Sequence, residues 1–341
     1  ALLLTACSDD TLNLINLIPL EDYLASVISS EMSADAPLEF LKAQAITARS
    51  WLLAMLAKKQ TRRAGQIRSE QEIAVWQDVN DHEGFDVCAD DHCQRYQGIT
   101  RIISDNVQKA IDTTRGLFLV SGDDICDARY YKCCGGQTEK FSTAWENMNV
   151  PYLQSLSDHH LPHTPIASEE QAAAWFDSSP AAYCNTIVRE LLERILPSFD
   201  LETLHFYRWR VVYEKGQLEN ILRKKSGMDF GELQHLIPLT RGPSGRISRL
   251  KIIGSKKTIV VGRELEIRRW LSETHLLSSA FVVAVEHDPD GAIRRFILHG
   301  GGWGHGVGLC QIGAAVMAAQ GCSAKQILTH YFTGAELKKL Y

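Results

Sequence analysis

A chain of 341 residues with 45% hydrophobic, 23% charged and 8% aromatic residues has the balance of a folded protein with room for a large core, which excludes disorder for its bulk. Thirty-six basic against forty-one acidic side chains leave a formal charge of -5, which argues against a nucleic-acid binder held by phosphate neutralisation. No uninterrupted apolar run approaches the roughly 20 residues that cross a bilayer.

The chain opens ALLLTACSDD, and Leu4-Thr5-Ala6-Cys7 has the small-residue pattern that precedes a lipid-modified Cys at the end of a secretory signal. On that reading Cys7 is acylated, residues 1–10 are a signal remnant and linker, and the protein works outside the cytoplasm on a lipid anchor. A plain apolar run is the alternative. Eight further cysteines form an even set, which permits disulfides without requiring them.

Leu12 to Ile18 reads as a strand, and Pro19 with Glu21 and Asp22 marks a helix start. Leu20, Leu24, Val27 and Ile28 then define one buried face, on whose last turn Glu31 falls. After the break at Ser33, Asp35 and Pro37, Leu41, Ala45, Ala48, Leu52 and Met55 mark a second helix of about 20 residues, closing a helical hairpin. Thr61 to Asp81 is polar and basic and reads as an exposed loop. Gly116 to Val120 and Cys126 to Tyr131 read as strands, and His159 to Glu170 leads into helices around Ala172 to Leu196. Ile247 through Val261 is β-rich, and Ala280 to Glu286 with Ile293 to His299 forms a hairpin closed at Asp290-Gly291. Ser323 with Gln326 is a capping box opening a last helix. Helices and strands are interspersed without strict alternation, so the expected fold class is α+β.

Glu31 is the first chemical candidate. A carboxyl on an apolar helix face has its charged form disfavoured by desolvation, which suits a general acid that protonates a glycosidic oxygen; a boundary Glu reaching into water is the plainer reading. His82, Cys88 and Cys93, spaced H-x5-C-x4-C with His92 beside the second Cys, offer the thiolate and imidazole set that zinc prefers, against which stands a Cys88–Cys93 disulfide. The glycines of residues 300–308 match no nucleotide-binding spacing, and instead suggest backbone packed too closely for side chains around His305. Cys133 and Cys134, or Cys310 with His305, could supply a thiol nucleophile; packing or a disulfide to Cys126 is the alternative.

The segment EDYLASVISSEMSADAPLEFLKAQAITARSW resembles the signature of the SpoIID/LytB family, comprising stage II sporulation protein D and the amidase enhancer. YYKCCGGQTEKFSTAWENMNVPYLQS and GGGWGHGVGLCQIGAAVMAAQGCSAKQILTHYFTG are similar to it as well, in the expected order. The resemblance implies one catalytic domain over 11–341, with an insertion around 160–240. It implies a lytic transglycosylase acting on peptidoglycan glycan strands, with Glu31 as the catalytic acid. Lys42, Gln44, Arg49, Gly135, Gly136, His305 and Gln311 would line its groove. It further implies that some relatives carry a zinc ion near the catalytic Glu, and that a wall amidase is a possible partner of a non-catalytic relative. The chain departs from the family where many relatives have a His followed by small polar residues: here stand Tyr131 and Lys132.

Overall fold

The computed structural model describes residues 1–6, 11–59, 65–77, 82, 84–90, 92–98, 100 and 104–341; the expected lipidation site Cys7 lies outside them. Glu21 and Asp22 occupy the first turn of helix α1, Leu20–Glu31, where the dipole is positive. Leu24, Val27 and Ile28 are fully buried, as their spacing requires. The burial is wider than the single face expected, because Tyr23, Ala25, Ser26, Ser29 and Ser30 are buried too. Helix α2, Leu38–Lys59, and the helix Asp105–Thr114 both pack against α1, of which Asp22 alone is exposed. Ser29 and Ser30 meet this by returning their hydroxyls to the carbonyls of Ala25 and Ser26.

Helix α2 is the hub. It touches α1, Asp105–Thr114, the strand Leu117–Ser121 and the C-terminal helices Gln311–Ala319 and Ala324–Tyr331. Midway along it, Arg49 is wholly buried and donates from Nε and Nη2 to Glu21 at 3.1 and 2.6 Å, and from Nη1 to the Leu117 carbonyl at 3.1 Å. Burial works against the Glu21 carboxylate, but hydrogen bonds from Arg49 and Tyr341 and the charge of Arg49 outweigh it and hold Glu21 below the ordinary carboxyl value of 4.5. A depressed carboxyl stabilises the fold above its unfolded value and ceases to do so as pH falls through the folded one. Glu21→Gln is therefore expected to cost about 3 kcal/mol at neutral pH. In urea titrations the gap from wild type should close as pH drops below 4.5; a gap independent of pH would contradict this account.

The strand Leu12–Asn16 is found and pairs antiparallel with Leu2–Ala6. The stretch expected as loop over 61–81 instead contributes the strands Gly65–Arg68 and Glu72–Gln77. Ile73 and Ala74 are buried, and their strand lies parallel to Thr258–Gly262 in the five-stranded sheet that Ile247–Gly254 and Leu233–Arg241 complete. Polar flanks, Ser69 to Glu72 before and Gln77 after, hide this short apolar pattern, and its partner is nearly 190 residues away in sequence. Of the strand expected over Cys126 to Tyr131, Tyr130–Tyr131 alone pairs, in parallel with Leu309–Cys310; Ala128 and Arg129 bond locally to Cys126 and Asp127. The hairpin Phe281–His287 with Ile293–Gly300 forms as expected and gains Trp209–Glu214 as a third antiparallel strand. The capping box of Ser323 and Gln326 is present.

Apolar side chains gather in two main clusters. One joins α1, α2, the Cys133-Cys134 segment and the C-terminal helices, and takes in Cys184, Leu192, Ile195, Phe206 and Tyr207. The other lies between the sheets and the helices Lys215–Ser226 and Glu264–Trp270.

Candidate active site

Glu31 closes α1, and Met32 leaves in extended backbone, so the carboxyl projects from the end of the hairpin and is half-buried. Its Oε1 accepts from the Arg95 main-chain N–H at 2.9 Å and from the Tyr130 hydroxyl at 3.1 Å, which fixes the rotation of the group. Burial, and then the charge of Glu31, push Tyr130 well above the ordinary phenol value, so it serves as a donor at neutral pH. Lys132 Nζ donates to the Glu31 main-chain carbonyl at 2.7 Å and pairs with Asp200 at 2.8 Å. The same ammonium lies 5.9 Å from the centre of the half-buried Trp303 ring, and Arg95 stacks 4.7 Å from the centre of the Phe199 ring, which is 41% exposed. A carboxyl oriented by fixed donors and rimmed by two aromatic rings and two cations has the makings of a sugar site.

The C-terminal glycines reach this site through backbone. Cys133 and Trp303 exchange two main-chain hydrogen bonds, at 3.0 and 2.7 Å. A Cβ on Gly135 would meet the Gly302 nitrogen at 2.9 Å, and both residues have positive φ, so the close packing read from the glycines is found. His305 lies behind the carboxyl rather than beside it. Its Nε2 meets the Tyr130 carbonyl at 3.0 Å, and its Nδ1 accepts from Val307 N–H at 3.1 Å, which assigns a neutral ring protonated on Nε2. Burial, then the charges of Arg129, Arg246 and Arg268, hold its pKa well below the ordinary value. His305 thus positions Tyr130. With both nitrogens so engaged, it forms no dyad with Cys310.

The remaining expected groove residues divide. Lys42 is turned to Glu39 at 2.7 Å. Arg49 does not line a groove beside it as expected: it is wholly buried on Glu21, because a guanidinium midway along a buried helix must find its partners inside. Gln44 and Gln311 are buried as well, and Gly136 packs against Tyr207 and Trp175. Cys134 has Cys184, not Cys126, as its sulfur neighbour, at 3.3 Å. Sequence reasoning missed Tyr130 and left Lys132 as a doubtful departure; its one available signal was their place beside the Cys-Cys-Gly-Gly segment. Depressions of about 440 and 630 Å³ lie along residues 159–186, and Glu31 lines neither.

His82, Cys88, His92 and Cys93 place one ligand atom each within 4.8 Å of the others. His82 Nε2 stands 2.9 Å from Cys93 Sγ, and His92 Nδ1 stands 3.7 and 4.0 Å from the sulfurs of Cys93 and Cys88. These compare with edges of about 3.5–3.8 Å in a tetrahedral Cys2His2 site, so the donors fit a metal ion, with His92 as the fourth ligand. Among the described residues Cys88 and Cys93 form no disulfide. The segment continues directly into Gln94, buried between Tyr23 and the Ala48 carbonyl, and into the Arg95 amide that holds Glu31. A metal bound here would tie that wall down. Chelation, or Cys88→Ser with Cys93→Ser, is expected to speed hydrogen exchange at the Arg95 amide at least tenfold, read by mass spectrometry; unchanged exchange would separate the cluster from the Glu31 wall.

Residues 8–120 match a family described as Stage II sporulation protein, and residues 139–308 match a domain of unknown function (DUF8618). Stage II sporulation protein D of Bacillus amyloliquefaciens is 23% identical over 94% of this chain and 75% of its own length. The amidase enhancer of Bacillus subtilis is 26% identical over 92% of this chain, which spans 40% of that longer protein. An uncharacterised protein of Brachyspira hyodysenteriae is 25% identical over 96% of this chain and 69% of its own. With the signature helix, the Cys-Cys-Gly-Gly segment and the C-terminal glycines converging on Glu31, the chain is identified as a relative of stage II sporulation protein D and the amidase enhancer, carrying the Stage II sporulation protein domain in its N-terminal part.

Proposed function

We propose that this protein is a peptidoglycan lytic transglycosylase working outside the cytoplasm, with residues 11–341 as one catalytic domain and Cys7 as a lipid anchor. The family relationship supports a cell-wall role. The observation that carries the finer reading is Glu31, a half-buried carboxyl held by Tyr130 and Arg95 at a rim bearing Trp303 and Phe199. Glu31 donates its proton to the oxygen linking MurNAc to GlcNAc as that bond breaks. The resulting carboxylate faces the oxocarbenium-like centre and stabilises it. It then takes the proton of the MurNAc C6 hydroxyl as that oxygen closes on C1, giving a 1,6-anhydro end. No water is consumed and the acid is regenerated, so one carboxyl suffices. Phe199 and Asp200, from the expected 160–240 insertion, form one wall of the glycan path. Zinc is the ion proposed for His82, Cys88, His92 and Cys93, where it supplies a structural tie; the proton steps belong to Glu31.

The name of the amidase enhancer favours a second reading, a glycan-binding module that stimulates a wall amidase through the same surface. Mass spectrometry of peptide-free glycan strands incubated with wild type and with Glu31→Gln decides between them. Anhydro-ended products from wild type alone support the enzyme; their absence from both supports the binding module.

A further inference from the structure

Away from Glu31, four thiols and one carboxyl meet inside the main core, the Cys133 sulfur lying against those of Cys184 and Cys310. The sulfurs of Cys134, Cys184 and Cys310 and a carboxylate oxygen of Asp158 all lie within 4.8 Å of one another, and none of the four residues is more than 2% exposed. They come from four separate stretches of chain. Asp158 makes no ion pair among the described residues. A buried carboxyl facing three thiols without a cation is costly unless protonated or neutralised.

The surroundings resemble the outer shell of a metal centre. Asp158 Oδ1 accepts from the Tyr331 hydroxyl at 2.5 Å and Oδ2 from the Cys184 N–H at 2.8 Å. The Gly136 and Cys134 amides donate to the sulfurs of Cys134 and Cys310, each at 3.3 Å. Cys310 is the N-cap residue of the helix Gln311–Ala319, where the dipole favours thiolate. The 3.3 Å between the Cys134 and Cys184 sulfurs is close to the edge of about 3.7 Å in a tetrahedral zinc–thiolate site. A disulfide between these two would leave Asp158 and Cys310 facing each other unneutralised, whereas one ion engages all four groups.

We propose that Cys134, Asp158, Cys184 and Cys310 form a second, buried site for one thiophilic divalent ion, Zn²⁺ being the case that fits three sulfurs and an oxygen. Binding exchanges the thiol protons for the ion. The ion pins residues 158 and 184 to the segment that carries Tyr130 and to the last helices. This holds whether or not the protein cleaves glycan.

The test is metal content of the full chain, purified reduced and zinc-replete. One equivalent of zinc is expected to remain in Cys88→Ser/Cys93→Ser, and one to be lost from wild type in Cys184→Ser. Should Cys184→Ser fail to fold, cobalt substitution of Cys88→Ser/Cys93→Ser decides, with intense thiolate-to-cobalt charge transfer expected. A metal-free Cys88→Ser/Cys93→Ser protein, a Cys184→Ser protein with the wild-type count, or a Cys134–Cys184 disulfide in unreduced peptide maps would overturn the proposal.

Discussion

Glu31→Gln is expected to lower the rate of anhydro-ended product release by about 10²–10⁴-fold, the usual contribution of a general acid, while leaving the thermal midpoint close to wild type. The amide keeps a carbonyl oxygen to accept from Arg95 N–H and Tyr130, so the surrounding contacts survive and the loss is confined to the proton. Tyr130→Phe is the companion measurement. It removes one donor to Oε1 without touching the carboxyl, and a loss of roughly tenfold follows from one hydrogen bond of about 1.4 kcal/mol. If Glu31 acts as acid and then base, the Tyr130→Phe loss appears in kcat rather than KM. A Glu31→Gln protein that cleaves as fast as wild type removes Glu31 from the chemistry.

The largest stability loss is expected at Arg246, a residue the sequence reading passed over. It is wholly buried, and its guanidinium donates to the Gly304 carbonyl at 3.0 Å, to Ser244 Oγ at 2.9 Å and to the Cys134 carbonyl at 3.2 Å. A Cβ on Gly306 would strike it at 2.5 Å, so the glycine loop is moulded around this side chain. Ser244 continues the network to buried Glu139, whose pKa burial raises while hydrogen bonds from Ser244 and Lys140 oppose the shift. Arg246→Ala strands several carbonyls and leaves a void, and should cost about 3–5 kcal/mol in denaturant titrations. Arg246→Lys should rescue little, since a single ammonium cannot span acceptors set for a planar fork. A loss under about 1 kcal/mol would show that the loop holds itself together.

The α1–α2 hairpin, the Asp290-Gly291 hairpin and the Ser323 cap were legible because each is written in neighbouring residues: a 3.6-residue period, a short turn ending in Gly291, a four-residue box. Glu31 was legible for the same reason, as a polar residue at an apolar helix position, and the three motif stretches marked the family. Arg49 was misjudged because a motif says which residue stands on a helix, but not what covers it.

Tertiary contact alone decided the rest. The parallel pairing of Glu72–Gln77 with Thr258–Gly262, the Tyr130 hydroxyl on Glu31, the assembly of Cys134, Asp158, Cys184 and Cys310, and the burial of Arg246 each join residues from about 25 to nearly 190 positions apart. Periodicity and turn chemistry carry information over a few residues. Which distant polar groups meet is settled when the core closes, since a buried donor or charge must then find its partner among whatever the fold has brought near.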